Sequence, residues 1–224
     1  LASIQEDQDL SLFTEVVLSE EELQKLADSY RNAQHFKTAA AVYRSIGLDN
    51  DAIYCDFEAA FEDEEFLNAA EFARDLLKNN PDHEQKFLHD ISNRCKIELM
   101  NMIESGKTSS LLLELLSFHS RKIGDEHAQM NADAEKYELD ARSTGRKVLW
   151  KKAAQKWTQL SQHRKAAYAW KKAGDLITAT QSLCTAKSWA RVRRTMLEYL
   201  ENSDDDQIVF RVLLHVPVLL ENDH

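Results

Sequence analysis

Residues 30–53 read YRNAQHFKTAAAVYRSIGLDNDAI and residues 157–180 read WTQLSQHRKAAYAWKKAGDLITAT. At an offset of 127, Tyr30 falls on Trp157, Ala33 on Leu160, Ala39 and Ala40 on Ala166 and Ala167, Tyr43 on Trp170, Ile46 on Ala173 and Gly47 on Gly174. The shared cadence is aromatic, small pair, aromatic, small, Gly. Small residues let two helix backbones approach, and aromatic rings fill the groove beside them. Gly supplies a left-handed helix end. From Arg146 the cadence tightens to a period of 13, in which Ala153, Ala166, Ala179 and Val192 correspond. So do Trp157, Trp170, Leu183 and Met196, and Leu160, Ala173, Ala186 and Tyr199. This spacing predicts consecutive short antiparallel helices, with one small and one large residue at each crossing. The fold expected is an all-α helical-repeat solenoid of stacked hairpins.

Composition agrees. The 224 residues include only 5 Gly and 2 Pro, few for a sheet protein with many turns. The helix formers Ala, Leu, Glu, Lys and Gln are abundant. Ser19-Glu20-Glu21-Glu22 is a capping-box pattern that opens a helix, with Leu23, Leu26 and Tyr30 on one face. A second helix is expected over 35–46, closed by Gly47, and Asp49-Asn50-Asp51 offer caps for a third. Further helices are expected over 65–79 and 81–104, then from the apolar run at 111–116, then a polar one over 125–143 ended by Gly145. A last one spans 204–215, stopped by Pro217. The division expected is an acidic lead-in over 1–16, an acidic repeat segment over 17–124, a polar connecting helix over 125–145 and a basic repeat segment with an apolar tail over 146–224.

Residues 50–83 resemble a tetratricopeptide repeat. Ala60, Ala69, Ala73 and Pro81 sit where that family places its small residues and terminal Pro. Asp56 and Phe57 stand where Leu and Gly are usual, and Ile53 replaces the usual Trp. The Trp-Leu and Trp-Ala-Gly spacings over 157–174 are similar to that family's first helix. The cadence is also similar to that of divergent helical arrays attached to intraflagellar, vesicle-coat and some helicase proteins. The resemblance implies a tetratricopeptide-like array whose surface binds a partner.

No phosphate-binding Gly loop, GxSxG, HExxH or zinc-ligand spacing occurs. Neither His83 with His89 nor His119 with His127 has metal-ligand spacing, and Asp63-Glu64-Glu65 reads as a solvated loop cluster. No catalytic, cofactor or metal residue is therefore expected. Cys55, Cys95 and Cys184 are odd in number and far apart, so they read as packed thiols in a reducing compartment, cytoplasmic or nuclear. No apolar run approaches the roughly 20 residues that span a bilayer, so membrane insertion is not expected. Without an initial Met, and ending just past the apolar run 216–220, the chain reads as a module of a larger intracellular protein.

Charge is polarised. Residues 1–140 hold 13 basic against 30 acidic residues, and residues 141–224 hold 15 against 8. Within 141–200, 14 basic residues face only Asp175 and Glu198. The candidate partner-binding stripe is Arg146, Lys147, Lys151, Lys152, Lys156, Arg164, Lys165, Lys171, Lys172, Arg191, Arg193 and Arg194. All four Trp fall in the same stretch. Trp157 and Trp170 are expected in the core; Trp150 and Trp189 are the candidate anchor or stacking rings. An acidic protein segment is the partner expected, since a net charge of −10 opposes a long nucleic acid. The basic density also fits RNA or DNA, and the apolar tail 208–220 fits self-association.

Overall fold

The computed structural model describes residues 18–79 and 85–202. It is an all-α helical repeat. The chain divides into two compact units at His83/Glu84. The first holds α1 (Glu20–Asn32), α2 (Phe36–Ser45), α3 (Asp49–Glu62) and α4 (Phe66–Asn79). The second holds α5 (Gln85–Glu104), α6 (Ser110–Lys122), α7 (Glu126–Thr144), α8 (Lys147–Gln159), α9 (His163–Ala173), α10 (Leu176–Thr185) and α11 (Trp189–Asn202). Within each unit every helix packs on the next in sequence. The expected helix over 204–215 and the tail 208–220 lie outside the described residues.

One turn recurs between helices. The N–H of a left-handed residue bonds the carbonyl three back, and the next N–H bonds the carbonyl five back, which is the Schellman arrangement. His35 reaches Tyr30, Leu48 reaches Tyr43, Gln162 reaches Trp157, Asp175 reaches Trp170 and Ser188 reaches Leu183, all at 2.9–3.0 Å. The aromatic of the sequence cadence is thus the residue whose carbonyl the turn ties down. The same pair of bonds recurs at 64/65, 106/107 and 124/125, and four of these eight turns lack glycine: Gln34, Glu64, Ser161 and Lys187 hold φ of +62°, +59°, +56° and +51°. The same turn explains why Asp49 does not cap α3. Only Leu48 stands between the left-handed Gly47 and the helix, so Leu48 is the N-cap and makes no side-chain cap bond. Asp49 and Asp51 instead lie in the first turn, where the helix dipole favours them. At α1 the capping box forms as expected, with Glu22 N–H on Ser19 Oγ at 3.3 Å and Ser19 N–H on Glu22 at 2.8 Å.

The core of the first unit gathers Ala27, Ala39, Ala40, Tyr43, Ala52 and Cys55. In the second unit Ala153, Ala154, Ala166, Ala169 and Ala179 stand at the crossings and Trp150, Trp157 and Trp170 fill between them. Truncating a buried Trp such as Trp157 to Ala costs about 3–5 kcal/mol by transfer and cavity terms. Cys55 and Cys95 are buried and Cys184 half-buried, all three as free thiols. Burial pushes the Cys55 thiol up to about 11.

The polar helix α7 is an integral layer, packed on both α6 and α8. Ala132, Ala134 and Ala141 supply its buried contacts. Its charged side chains do what apolar ones do elsewhere. Asp133 accepts from Ser117 Oγ on α6 at 2.6 Å and from Lys156 Nζ on α8 at 3.2 Å. Lys136 donates to Glu114 on α6 at 2.5 Å, and Glu138 accepts the Trp157 indole N–H at 3.3 Å.

Candidate partner-binding groove

Consecutive helices alternate sides, so α7, α9 and α11 line one face of the second unit. Two adjoining cavities of about 550 and 350 Å³ lie on that face and share Arg164, Tyr168 and Arg191. Together they form one groove. Its α7 end is lined by Glu135, Glu138, Leu139 and Arg142, and its α11 end by Lys171, Arg194, Thr195 and Glu198. On α9, Arg164, Lys165, Tyr168, Lys171 and Lys172 are all exposed, as spacings of three and four on one helical face require. A cavity of about 600 Å³ against α8 and α10 is lined instead by neutral groups such as Gln155, Thr158, Gln159 and Gln181.

The groove's charges sort into pairs and a remainder. Arg142 bonds Glu138 at 2.5 Å, Lys165 approaches Glu135 at 3.7 Å and Lys171 pairs with Glu198. Each of the three lining carboxylates therefore has its own cation. Arg164, Arg191 and Arg194 remain, and no carboxylate among the described residues pairs with them. Arg164 Nε donates to Ser188 Oγ at 3.1 Å, which holds that guanidinium beside the start of α11.

The sequence-derived stripe is distributed over several surfaces. Arg164, Lys165, Lys171, Arg191 and Arg194 line the groove. Lys156 is turned inward onto Asp133. Lys152 Nζ lies over the Tyr137 ring at 5.4 Å and Lys172 Nζ over Tyr168 at 5.7 Å. Arg146, Lys147, Lys151 and Arg193 are exposed and line none of these cavities. Lys147 Nζ lies near Gly174, at the carbonyl-rich end of antiparallel α9.

The aromatic expectation needs correction at Trp150. Its ring is 6% exposed, packed among Ala153, Ala154 and Trp157, and offers no open face for stacking. Trp189 is half-buried against the Ala167, Leu183, Val192 and Met196 cluster. Trp157 and Trp170 are buried. The open ring of the groove is Tyr168, 44% exposed, with its ring edge-on to Trp150 at 5.7 Å. Sequence reasoning passed over it. The available signal was its place on the polar side of α9, four residues after Arg164 and three before Lys171.

Among the described residues no three His, Cys, Asp or Glu side chains gather as a metal site requires, and no helix is long and apolar enough to cross a membrane. In comparisons with known proteins, neither a family model nor a curated protein matches the chain.

Proposed function

We propose that this chain is a non-catalytic, tetratricopeptide-like interaction module of a larger intracellular protein, and that its α7–α9–α11 groove docks an acidic protein segment. The observation that carries the reading is the positive end of the groove, where Arg164, Arg191 and Arg194 have no carboxylate partner among the described residues. An acidic segment would supply those carboxylates, and Tyr168 would give it an apolar ring to lie on.

The test is fluorescence anisotropy of the 224-residue chain with a labelled Asp/Glu-rich peptide at low and physiological salt. Saturable binding is expected, weakening with salt. Arg191→Gln with Arg194→Gln should weaken it roughly tenfold, on the scale of two charge-assisted contacts. Binding that ignores these substitutions would remove the groove from the proposal. A second reading, RNA or DNA binding, is favoured by the basic density of 141–200. The buried Trp rings weigh against it, because a single-strand platform needs successive open rings. Saturable oligonucleotide binding with a steep salt slope would promote it. Self-association through 208–220 is compatible with either reading.

A further inference from the structure

The geometry points to a phosphoryl-recognition site at the α9–α11 end of the groove, where Arg164, Arg191 and Arg194 grip a phosphoserine or phosphothreonine carried by the acidic partner segment. This rests on the docking reading above and names the chemical mark the groove would read.

The argument is one of charge matching. Along the groove each single-charge carboxylate is met by one cation: Glu138 by Arg142, Glu135 by Lys165 and, at the α11 end itself, Glu198 by Lys171. At that end three further guanidinium groups border the same cavity of about 350 Å³, and no carboxylate among the described residues pairs with them. A carboxylate brings one charge and two oxygens, too little for three forks. A phosphoryl group brings roughly −1.5 to −2 and three acceptor oxygens. Guanidinium is the side chain that meets such oxygens in a planar, bidentate way. Arg164 is already oriented, because its Nε is held on Ser188 Oγ and its terminal nitrogens stay available. Tyr168 and Thr195 border the same cavity with hydroxyls that can donate to the remaining oxygen lone pairs.

An isolated phosphoryl group fits better than a phosphodiester chain. Along the groove towards α7 the lining turns to Glu135 and Glu138, which would oppose the next phosphates of a continuous backbone. The cavity also exposes one ring, Tyr168, where a tract of bases would need several.

The experiment uses the full chain and two labelled peptides of one acidic sequence, with Ser or phosphoserine at the centre, followed by anisotropy across pH 5–8. A single-stranded RNA oligonucleotide serves as competitor. The phosphopeptide is expected to bind about tenfold or more tighter, as charge-assisted bidentate pairs imply. That preference should fade as pH falls through roughly 6, where the phosphoryl group loses its second charge. Arg191→Gln and Arg194→Gln should abolish the preference, while Lys151→Gln, outside the groove, should leave it. Circular dichroism of each variant separates a lost contact from a lost fold. Equal, groove-dependent binding of the two peptides would overturn the phosphoryl site and leave acidic docking standing. No binding of either would overturn both. RNA that binds more tightly than the phosphopeptide, with the same dependence on Arg191 and Arg194, would overturn the inference in favour of nucleic acid.

Discussion

Ser161 and Lys187 sit at φ +56° and +51°, where the Cβ of an L residue meets its own backbone at a cost of roughly 1–2 kcal/mol. Gly174 occupies the equivalent turn between them at φ +87°, free of that crowding. The three positions therefore form a natural exchange series. Ser161→Gly should raise the urea midpoint by the equivalent of about 0.5–1 kcal/mol, the relief being offset partly by the entropy of the unfolded glycine. Gly174→Ala should lower it by about 1–2 kcal/mol. Equal midpoints for the Ser161 variant and the parent would mean that the turn tolerates its side chain without strain. The turns with glycine were legible in the sequence, since few other roles explain a Gly at 47, 145 or 174 among helix formers. The Gln34, Glu64, Ser161 and Lys187 turns were not, because those residue types are ordinary on any helix surface. Tyr168 escaped for a related reason: its ring continues no cadence, and its place between Arg164 and Lys171 gains meaning only with its exposure in the groove.

At the scale of the element, α7 shows a helix held by polar reach on two sides. Its start depends on Asp125, whose carboxylate accepts the Ala128 N–H at 2.9 Å and pairs with Lys96 on α5. The Lys96 hydrogen bond, then the backbone bond, hold the Asp125 carboxyl below the usual carboxylate range. A depressed folded-state value stabilises the fold above the unfolded value of about 3.9, and that contribution is lost as pH falls through the folded-state value. Asp125→Asn keeps a capping side chain but removes the charge. It should cost about 1 kcal/mol at pH 7, since the pair is partly exposed, and the difference from the parent should shrink as pH falls below the unfolded value of about 3.9. A gap in urea stability that persists undiminished at pH 2–3 would locate the effect in packing rather than charge. The sequence showed α7 as a helix with correct ends and few apolar positions, Ala132, Ala134 and Ala141 among them. Hydrophobic periodicity cannot see the rest of its packing, the ties of Asp133, Lys136 and Glu138 to α6 and α8.

At the scale of the whole molecule, the two units carry separate core clusters, and all four Trp belong to the second. Indole fluorescence therefore reports on one unit, while far-ultraviolet circular dichroism reports helix in both. The expectation is two non-coincident urea transitions, since repeat arrays with separate cores lose all-or-none behaviour. Superimposable curves would show that the units unfold as one. The all-α repeat was legible from cadence alone, because helix crossings impose small and large residues at fixed intervals. The compact units divide at 83/84, whereas the sequence reading set boundaries at 16, 124 and 145, the last two at the glycines that flank the polar helix. The left-handed turn positions 161, 174 and 187 stand 13 residues apart, so the second unit counts in single helices. Its two faces then obey a parity. Losing or gaining one such helix would exchange the charged and neutral faces for everything downstream, whereas a change of two would return each side chain to its own side. An array of this kind can lengthen only by even steps if its groove is to stay unbroken.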